Sequence, residues 1–276
     1  MGKRSVFIPA KELKNLYLKE GLTSLDLARK FNCSDVTVRN KLRQLKIKLY
    51  PGGRRKFKYE KSPFDGSNLI KAYMLGFRIG DLNVYQPSPK SKILVVRCHT
   101  TIKEQIDVIR VLFEKFGAVK ISESEKHSFH VNCYLDHSFD FLLDKKSIPL
   151  WVKNNIQNSW AFIAGYVDAE GSFKLNQGRG RFKIDSYDYF VLEWMKKFLQ
   201  DHKINAKFRR ISEKGKLSYC NGIWKNDLWR ININEANSLE KFIYSIHNFL
   251  IHKIRIRDAK ETLNNIKIRR KHGTIK

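Results

Sequence analysis

Two acidic side chains close two similar segments of the chain. Asp81 ends the segment AYMLGFRIGD, and Glu170 ends the segment AFIAGYVDAE, 89 residues further on. At that offset an alanine matches an alanine, a glycine matches a glycine, and aromatic residues match twice. Carboxylates are hard oxygen donors, and Mg²⁺ commonly binds one or two of them together with phosphate and water. A cation held in this way can activate water and clamp the oxygens of a phosphodiester, so the pair indicates metal-dependent hydrolysis.

The glycines inside these segments indicate how the acids come together. Gly76 and Gly165 lie within predicted helices, where glycine costs about 1 kcal/mol relative to alanine. Close packing of two helices would explain them and the neighbouring Ala164, because small residues let helix backbones approach. We therefore expect the two helices to pack about a pseudo-twofold axis. The two acids would then meet at adjoining C-terminal ends, where the helix dipole disfavours a carboxylate and a cation would relieve the repulsion.

The charge of the chain points to a polyanionic partner. The chain has 276 residues, with 54 Lys and Arg against 27 Asp and Glu, a formal net charge of +27. Because so large an excess opposes folding by self-repulsion, nucleic acid is the first candidate partner and an anionic membrane surface the second. No segment approaches the ~20 apolar residues of a membrane span, and the N-terminus lacks the apolar run of a secretion signal. The four cysteines form no C-x-x-C pair, so we expect a reducing, intracellular environment.

The hydrophobic pattern predicts the same order of elements after each acid. After Asp81 it predicts strands at 82–85 and 93–98, a helix around 106–113, strands at 118–121 and 128–135, and a short helix at 139–143. After Glu170 it predicts strands at 173–175 and 181–184, a helix at 190–199, strands at 206–211 and 228–233, and a helix at 239–250. The prediction is an α+β fold of two pseudo-twofold-related α-β-β-α-β-β-α halves, residues 67–153 and 154–276, with saddle-like antiparallel sheets under the helices.

A small all-α domain is predicted at residues 1–50. Helices are expected at 11–20, 24–31 and 34–45, the second capped by Ser24 and the third by Ser34. This segment resembles helix-turn-helix DNA-binding modules, although a helical domain for protein contacts is an open alternative. A basic linker follows at 51–66 and suits a phosphate backbone. The residues that we expect to contact DNA here are Thr37, Arg39, Asn40, Arg43, Arg54 and Arg55.

Residues 72–81 and 161–171 resemble the two motifs of single-chain LAGLIDADG homing endonucleases. The second motif, AGYVDAEG, matches the family pattern well. The first has Ile79 in place of an acid and Leu82 in place of the closing glycine. The catalytic acid of the family is the later one, which both copies keep as Asp81 and Glu170. Asp168 is expected to be a structural hydrogen-bonding residue and not a third metal ligand.

The resemblance implies a sequence-specific double-stranded DNA endonuclease that uses Mg²⁺ or Mn²⁺. Such an enzyme acts as a monomer, hydrolyses one phosphodiester in each strand to leave a staggered break, and is encoded by a mobile intron or a similar element. The resemblance also implies a basic residue beside each acid, for which the candidates are Lys145 or Lys146 and Lys253 or Arg255. A catalytically inactive DNA-binding regulator, and an RNA-splicing maturase with intron RNA as its partner, are the open alternatives.

The two sheets are expected to lie in the major groove, where base edges are distinguishable. The pattern does not decide which residues of each strand face the DNA, because a slip of one residue reverses every side chain. The basic run 255–276 is expected to add phosphate contacts. The candidate sheet residues for DNA contact are Arg97, His99, Lys183, Lys207, Arg209, Trp229 and Arg230.

Overall fold

The chain forms two compact units, residues 1–60 and 61–276. The structure, a computed structural model, describes residues 7–49, 59–89, 91–124, 127–217 and 222–275. The predicted contact residues Arg54 and Arg55, the first half of the predicted linker and Cys220 lie outside the described residues. None of the helices in the described ranges has the length and apolar character that a membrane crossing requires.

In its described residues the first unit contains three helices around a small apolar core. They are α1 (Ala10–Leu18), α2 (Ser24–Lys30) and α3 (Asp35–Gln44). Each helix contributes the apolar residues that its sequence repeats at helical spacing. The buried residues of this core are Ile8, Leu13, Leu16, Tyr17, Leu27, Ala28, Val38 and Leu42.

The caps of the second and third helices differ in how well the sequence predicted them. The predicted cap Ser24 is wrong, because Ser24 is the first residue of α2 and Thr23 caps it. Thr23 Oγ1 accepts a hydrogen bond from the N–H of Asp26 at 3.1 Å, and the Asp26 carboxylate accepts one from the N–H of Thr23. This reciprocal capping box satisfies two free N–H groups at once, which Ser24 could not do. Ser34 caps α3 as predicted, with the N–H of Thr37 at 3.1 Å.

The second unit repeats one order of elements twice. Both halves follow the predicted α-β-β-α-β-β-α order. The first half contains α4 (Asn68–Asp81), β1 (Asn83–Tyr85), β2 (Ile93–Thr100), α5 (Lys103–Phe113), β3 (Ala118–Glu123), β4 (Phe129–Asp136), a 3-10 helix (His137–Leu142) and α6 (Leu150–Lys153). The second half contains α7 (Ile156–Glu170), β5 (Gly171–Asn176), β6 (Arg179–Ser186), α8 (Tyr189–Asp201), β7 (Lys207–Ser212), β8 (Leu228–Ile233), α9 (Ala236–Ile246) and α10 (Lys253–Lys271).

Each half builds a four-stranded antiparallel sheet. The strand orders are β1-β2-β4-β3 and β5-β6-β8-β7, so the two sheets share one topology. In β2 the side chains of Leu94, Val96 and Cys98 are buried, which places one face of the first sheet on the core under the helices. In β6 Phe182 and Ile184 do the same. We call the opposite face of each sheet its outer face.

The closing helices begin earlier than the hydrophobic pattern predicts. In the first half the helix predicted at 139–143 is a 3-10 helix at His137–Leu142. It starts there because the carboxylate of Asp136 accepts the N–H of Ser138 at 2.9 Å, an N-cap that the apolar pattern does not reveal. In the second half α9 ends at Ile246, and the predicted continuation to Leu250 is wrong.

Two glycines bring α4 and α7 into backbone contact. A Cβ atom on Gly76 would lie 2.0 Å from the carbonyl oxygen of Phe162, and one on Gly165 would lie 2.1 Å from the carbonyl oxygen of Tyr73. Tyr73 and Phe162 occupy equivalent places in the two segments, so the contact occurs twice about a pseudo-twofold axis. The glycines thus pack against the opposite backbone and not against each other. Ala164, beside Gly165, is fully buried.

Replacing either glycine with alanine should separate the two helices. We expect Gly76→Ala and Gly165→Ala each to lower the free energy of unfolding by about 3 kcal/mol or more, because the new methyl group meets backbone and not a movable side chain. Gly66→Ala is the matched control, since its Cβ would meet only side-chain atoms of Phe64 and Ile70. Chemical denaturation of the three variants measures the difference. Equal losses in all three would contradict this account of the helix contact.

Candidate active site

The two acids lie at adjoining helix ends. Asp81 is the last residue of α4, and Glu170 is the last residue of α7. Between them stands Gly80, whose missing Cβ would lie 2.5 Å from the Cβ of Ala169 and 3.0 Å from the Cγ of Glu170. Because position 80 has no side chain, the end of α7 can approach the end of α4. The geometry therefore brings together the two acids that the sequence singled out.

The acids influence each other electrostatically. Burial first, and then the neighbouring charges of Asp81 and Asp188, raise the pKa of Glu170 to about 7 against the opposing charge of Arg255. Burial also raises the pKa of Asp81, while a hydrogen bond from Gln105 and the charge of Arg255 oppose the rise. Two carboxylates that both resist ionisation form a site that a cation would stabilise.

Gln105 is a site residue that the sequence analysis missed. Its amide nitrogen on α5 donates to a carboxylate oxygen of Asp81, and its side chain is buried. The available signal was a polar residue among the apolar positions of the helix, next to Ile106 and Ile109. Beside Glu170 the corresponding polar neighbour is Asp188, whose carboxylate accepts hydrogen bonds from the hydroxyls of Tyr166 and Ser186 at 3.3 Å each.

Arg255 is the predicted basic residue that the structure brings to the acids. Its charge acts on Asp81, Glu170 and Asp168 together. Lys253 does not join them, because its Nζ lies 2.8 Å from the Asp107 carboxylate on α5. Lys145 and Lys146 are exposed on the segment after the 3-10 helix. Within the described residues neither lysine contacts an acid of the pair.

Asp168 ties the two motif helices to the start of α10. Its carboxylate is fully buried and accepts hydrogen bonds from the Tyr73 hydroxyl at 2.6 Å and from the N–H groups of Ile251 at 2.7 Å and His252 at 3.0 Å. This confirms the expected structural role. Since α10 begins directly after His252, the same bonds position Arg255 over the acids.

In the first half the equivalent part of the motif helix is held by a basic side chain and not by an acidic one. Ile79 stands where the second half has Asp168, and it is buried. The neighbouring Arg78 is buried instead, and its Nε donates to the carbonyl oxygen of Leu142 at 2.9 Å. A second guanidinium nitrogen donates to the carbonyl oxygen of Leu82. Buried charge is thus satisfied by backbone in both halves, through N–H groups in one and carbonyls in the other.

The donor set suits a divalent cation that also binds substrate oxygens. Among the described residues no group of three or more His, Cys, Asp or Glu forms a complete protein cage for a metal. Two carboxylates with mutual repulsion nevertheless match Mg²⁺, which commonly takes one or two carboxylates and completes its shell with water and phosphate. The residues present therefore fit Mg²⁺ or Mn²⁺ at the adjoining ends of α4 and α7.

The outer face of the second sheet is strongly basic. Strand pairing aligns Lys183, Asn232 and Lys207 across three neighbouring strands, and it aligns Asp185, Arg230 and Arg209 in the same way. The guanidinium of Arg230 holds Asp185 with two hydrogen bonds, at 2.5 and 2.7 Å. A hollow of about 320 Å³ on this face is lined by Ser172, Lys174, Asn176, Arg181, Lys183, Arg209, Arg230, Asn232 and Asn234.

The outer face of the first sheet carries Arg97 and His99. Arg97 donates to the side-chain oxygen of Asn132 and to the hydroxyl of Tyr85, each at 3.1 Å. The ring of His99 stacks on that of His130, with centroids 4.5 Å apart. The structure thereby decides which residues of each strand point away from the core.

Trp229 is the exception among the predicted sheet residues. It was expected as a DNA contact, but its ring packs on Phe208 at 5.2 Å and on Tyr189 at 4.7 Å. Trp229 precedes Arg230 directly, so its side chain points to the opposite side of the strand. The aromatic cluster with Tyr189 of α8 accounts for its position.

The basic C-terminal run forms α10 behind the second sheet. The Thr262 Cγ2 atom would lie 2.7 Å from a Cβ on Gly180, and the Asn265 side chain bonds the backbone of Gly178 and Gly180. Gly180 shares the core-facing side of β6 with Phe182. This part of α10 therefore covers the core-facing side of the second sheet, and the phosphate contacts expected of the basic run stay a prediction.

The predicted contact residues of α3 are exposed. Thr37, Arg39, Asn40 and Arg43 all lie on the surface of the first unit. Arg39 pairs with the carboxylate of Asp35, and Arg43 donates to the side-chain oxygen of Asn40 at 3.2 Å.

Comparison with known proteins assigns the second half to a family of domains. Residues 158–247 match the family model described as a LAGLIDADG-like domain. No curated protein matches the chain. The family match assigns a LAGLIDADG-like domain to the second half.

Similar solved structures include two of the homing endonuclease I-DmoI, one with DNA and Ca and one with DNA and Mn. Each is 16% identical over 65% of this chain, and they cover 89% and 96% of the I-DmoI chains with TM-scores of 0.46 and 0.45. The N-terminal LAGLIDADG domain of DUF199/WhiA is 15% identical over 67% of this chain and 83% of that chain, with a TM-score of 0.43.

Removing the charge of Glu170 should stabilise the metal-free protein at high pH. The pKa of Glu170 rises from 4.5 in the unfolded chain to about 7 in the fold, so ionisation weakens folding as the pH rises between these values. We expect Glu170→Gln to raise the free energy of unfolding by about 1–3 kcal/mol at pH 8 and to leave it nearly unchanged at pH 4. Denaturation in EDTA measures this, with the exposed Glu114→Gln as control. An equal effect at both pH values would refute it.

Removing the Tyr73 hydroxyl should leave Asp168 short of one hydrogen bond. Tyr73→Phe is expected to lower the free energy of unfolding by about 1–3 kcal/mol, because a buried carboxylate loses a donor. The control is Tyr244→Phe, since Tyr244 is 51% exposed, and its effect should stay within about 0.5 kcal/mol. If both substitutions lower the stability in thermal unfolding by the same small amount, the hydrogen bond from Tyr73 to Asp168 contributes nothing measurable to folding.

Proposed function

We propose that this protein is a sequence-specific, divalent-metal-dependent endonuclease of double-stranded DNA, of the LAGLIDADG homing type. The observation that carries the proposal is the meeting of Asp81 and Glu170 at the adjoining ends of α4 and α7. A structural acid at a helix end has no reason to meet its pseudo-symmetric counterpart, since both the helix dipole and the mutual charge oppose it. Such a cost to folding often marks a functional site.

The residues around the pair suit phosphodiester hydrolysis. A bound Mg²⁺ or Mn²⁺ would supply a Lewis acid and an activated water. Asp81 and Glu170 would hold it, and Gln105 keeps the Asp81 carboxylate in one orientation. Arg255 adds a positive charge that would offset the charge developing on the phosphate. Each acid would serve one strand, and two cuts would leave a staggered break.

The partner that the charge supports best is DNA. A net charge of +27 and a basic outer face on the second sheet suit a polyanion whose phosphates position the protein and whose bases it recognises. The I-DmoI structures described above contain DNA with Ca or Mn, which agrees with this assignment. One chain carries both halves, so a monomer would suffice. The exposed side chains of α3 would add a second DNA contact of the helix-turn-helix kind.

Cleavage of a target-site library in Mg²⁺ tests the proposal. We expect the wild-type protein to cut both strands, and Asp81→Asn or Glu170→Gln each to abolish the double-strand break while DNA binding persists. The physical reason is that each substitution removes a metal ligand without altering the basic sheets. Glu114→Gln, at an exposed acid far from both helix ends in sequence, should cut like the wild type.

Two outcomes would count against this function. If the wild-type protein binds a specific site and never cuts it with any divalent cation, the protein is a DNA-binding regulator with an inactive fold. If either acid variant still makes double-strand breaks at the wild-type rate, the pair is not the catalytic centre. Loss of binding in both acid variants together with a lowered melting temperature would show that the acids serve folding instead.

A further inference from the structure

The outer faces of the two sheets share one row of side chains. In each sheet, strand pairing aligns four residues, one from each strand, into a row at an equivalent place. In both sheets the last two residues of the row are an asparagine and a lysine. In the first sheet the row is Asn83, Arg97, Asn132 and Lys120, and in the second it is Ser172, Lys183, Asn232 and Lys207. The two halves therefore present the same chemistry in this row, which we call the middle row.

One flanking row differs in kind between the two sheets. In the first sheet Tyr85 pairs with Val95, which pairs with Tyr134, which pairs with Ala118. In the second sheet the equivalent pair is Lys174 with Arg181, and Asn234 lines the same hollow. The first row is thus aromatic and aliphatic, whereas its counterpart is basic and polar.

The other flanking row differs as well. In the first sheet His99 pairs with His130, which pairs with Ser122. In the second sheet Asp185 pairs with Arg230, which pairs with Arg209. The pseudo-twofold axis therefore relates nearly neutral flanking rows in the first sheet to basic flanking rows in the second, with only the middle row in common.

From this difference we propose that the two halves recognise DNA half-sites of opposite composition. The first sheet would bind an A·T-rich half-site, with its apolar row against thymine methyl groups. The second sheet would bind a G-rich half-site, with Lys174 and the arginines of its flanking rows on guanine O6 and N7. This inference rests on the proposed function and adds the composition of the target to it.

The contacts of each face support the assignment. Arg97 is already held by Tyr85 and Asn132, and its guanidinium lies 5.5 Å from the centre of the Tyr85 ring. Val95 is buried, so the accessible apolar surface of this row comes from the half-buried Tyr85, Tyr134 and Ala118. Apolar side chains contact the thymine methyl group, which marks the A·T pair in the major groove.

In the second sheet Asp185 orients the arginine that would contact guanine. It binds Nε and one Nη of Arg230, which fixes the plane of the guanidinium and leaves other N–H donors for a base edge. Arg and Lys on guanine O6 and N7 are the commonest specific contacts in the major groove. A rigid, planar donor of this kind distinguishes guanine from adenine better than a mobile one.

Selection from a random double-stranded DNA library in Ca²⁺ tests the proposal without requiring cleavage. We expect the enriched site to have one A·T-rich end and one end rich in G·C pairs. Replacing thymine with deoxyuridine should weaken binding several-fold at the A·T-rich end only, because it removes the methyl group.

Reciprocal substitutions test which sheet contacts which end of the DNA site. Tyr85 and Lys174 occupy equivalent places, so we test Tyr85→Lys and Lys174→Tyr. Tyr85→Lys should introduce a preference of roughly tenfold for guanine at one position of the A·T-rich end. Lys174→Tyr should remove a preference for guanine at one position of the G-rich end. The matched controls, Lys120→Gln and Lys207→Gln in the middle row, should weaken binding without changing the selected bases. Lys174 is exposed, so its variant tests the proposal even if Tyr85→Lys does not fold.

The alternatives give different results. Two ends of the same composition, or exchange variants that alter affinity without altering any selected base, would overturn the inference while leaving DNA binding intact. A library from which no sequence is enriched would overturn the proposed sequence-specific function itself, and this inference with it.

Discussion

The contact between the backbones of α4 and α7 is the constraint on which the rest of the second unit depends. Gly76 and Gly165 each lie against a carbonyl of the opposite helix, at a separation that admits no side chain. The helix ends are therefore fixed relative to each other, and so are the two carboxylates that they carry. Each sheet begins within two residues of its helix end, at Asn83 and Gly171, so the same contact also sets where the sheets start.

Within this symmetric frame the two halves use different polar groups. Asp168 fixes the segment before α10 through backbone N–H groups, whereas Arg78 fixes the equivalent segment through backbone carbonyls. Gln105 bonds Asp81, while Glu170 has the carboxylate of Asp188 nearby. Burial, and then the like charges of Asp81 and Asp188, raise the pKa of Glu170 to about 7, whereas the hydrogen bond from Gln105 opposes the rise that burial causes at Asp81.

The positive charge of the chain is distributed by the fold in a way that composition does not reveal. Basic residues of β6, β7 and β8 gather on one face of the second sheet, and α10 holds others behind that sheet. A polyanion responds to local charge density within about one Debye length, so only the clustered set acts as one surface. The proposed DNA interface therefore follows from strand register and not from the count of lysines and arginines.

The sequence by itself determined the duplicated motif, the order of elements in both halves, the buried glycines and the two helix-end acids. These are properties of residue type and spacing, which can be seen in the sequence without a structure. Tertiary structure alone decided that Arg255, and not Lys253, reaches the acids, that Gln105 bonds Asp81, and that Trp229 points inward. Each of these depends on contacts between residues far apart in the chain or on strand register, and a hydrophobic pattern encodes neither, since it reports only periodicity along the chain.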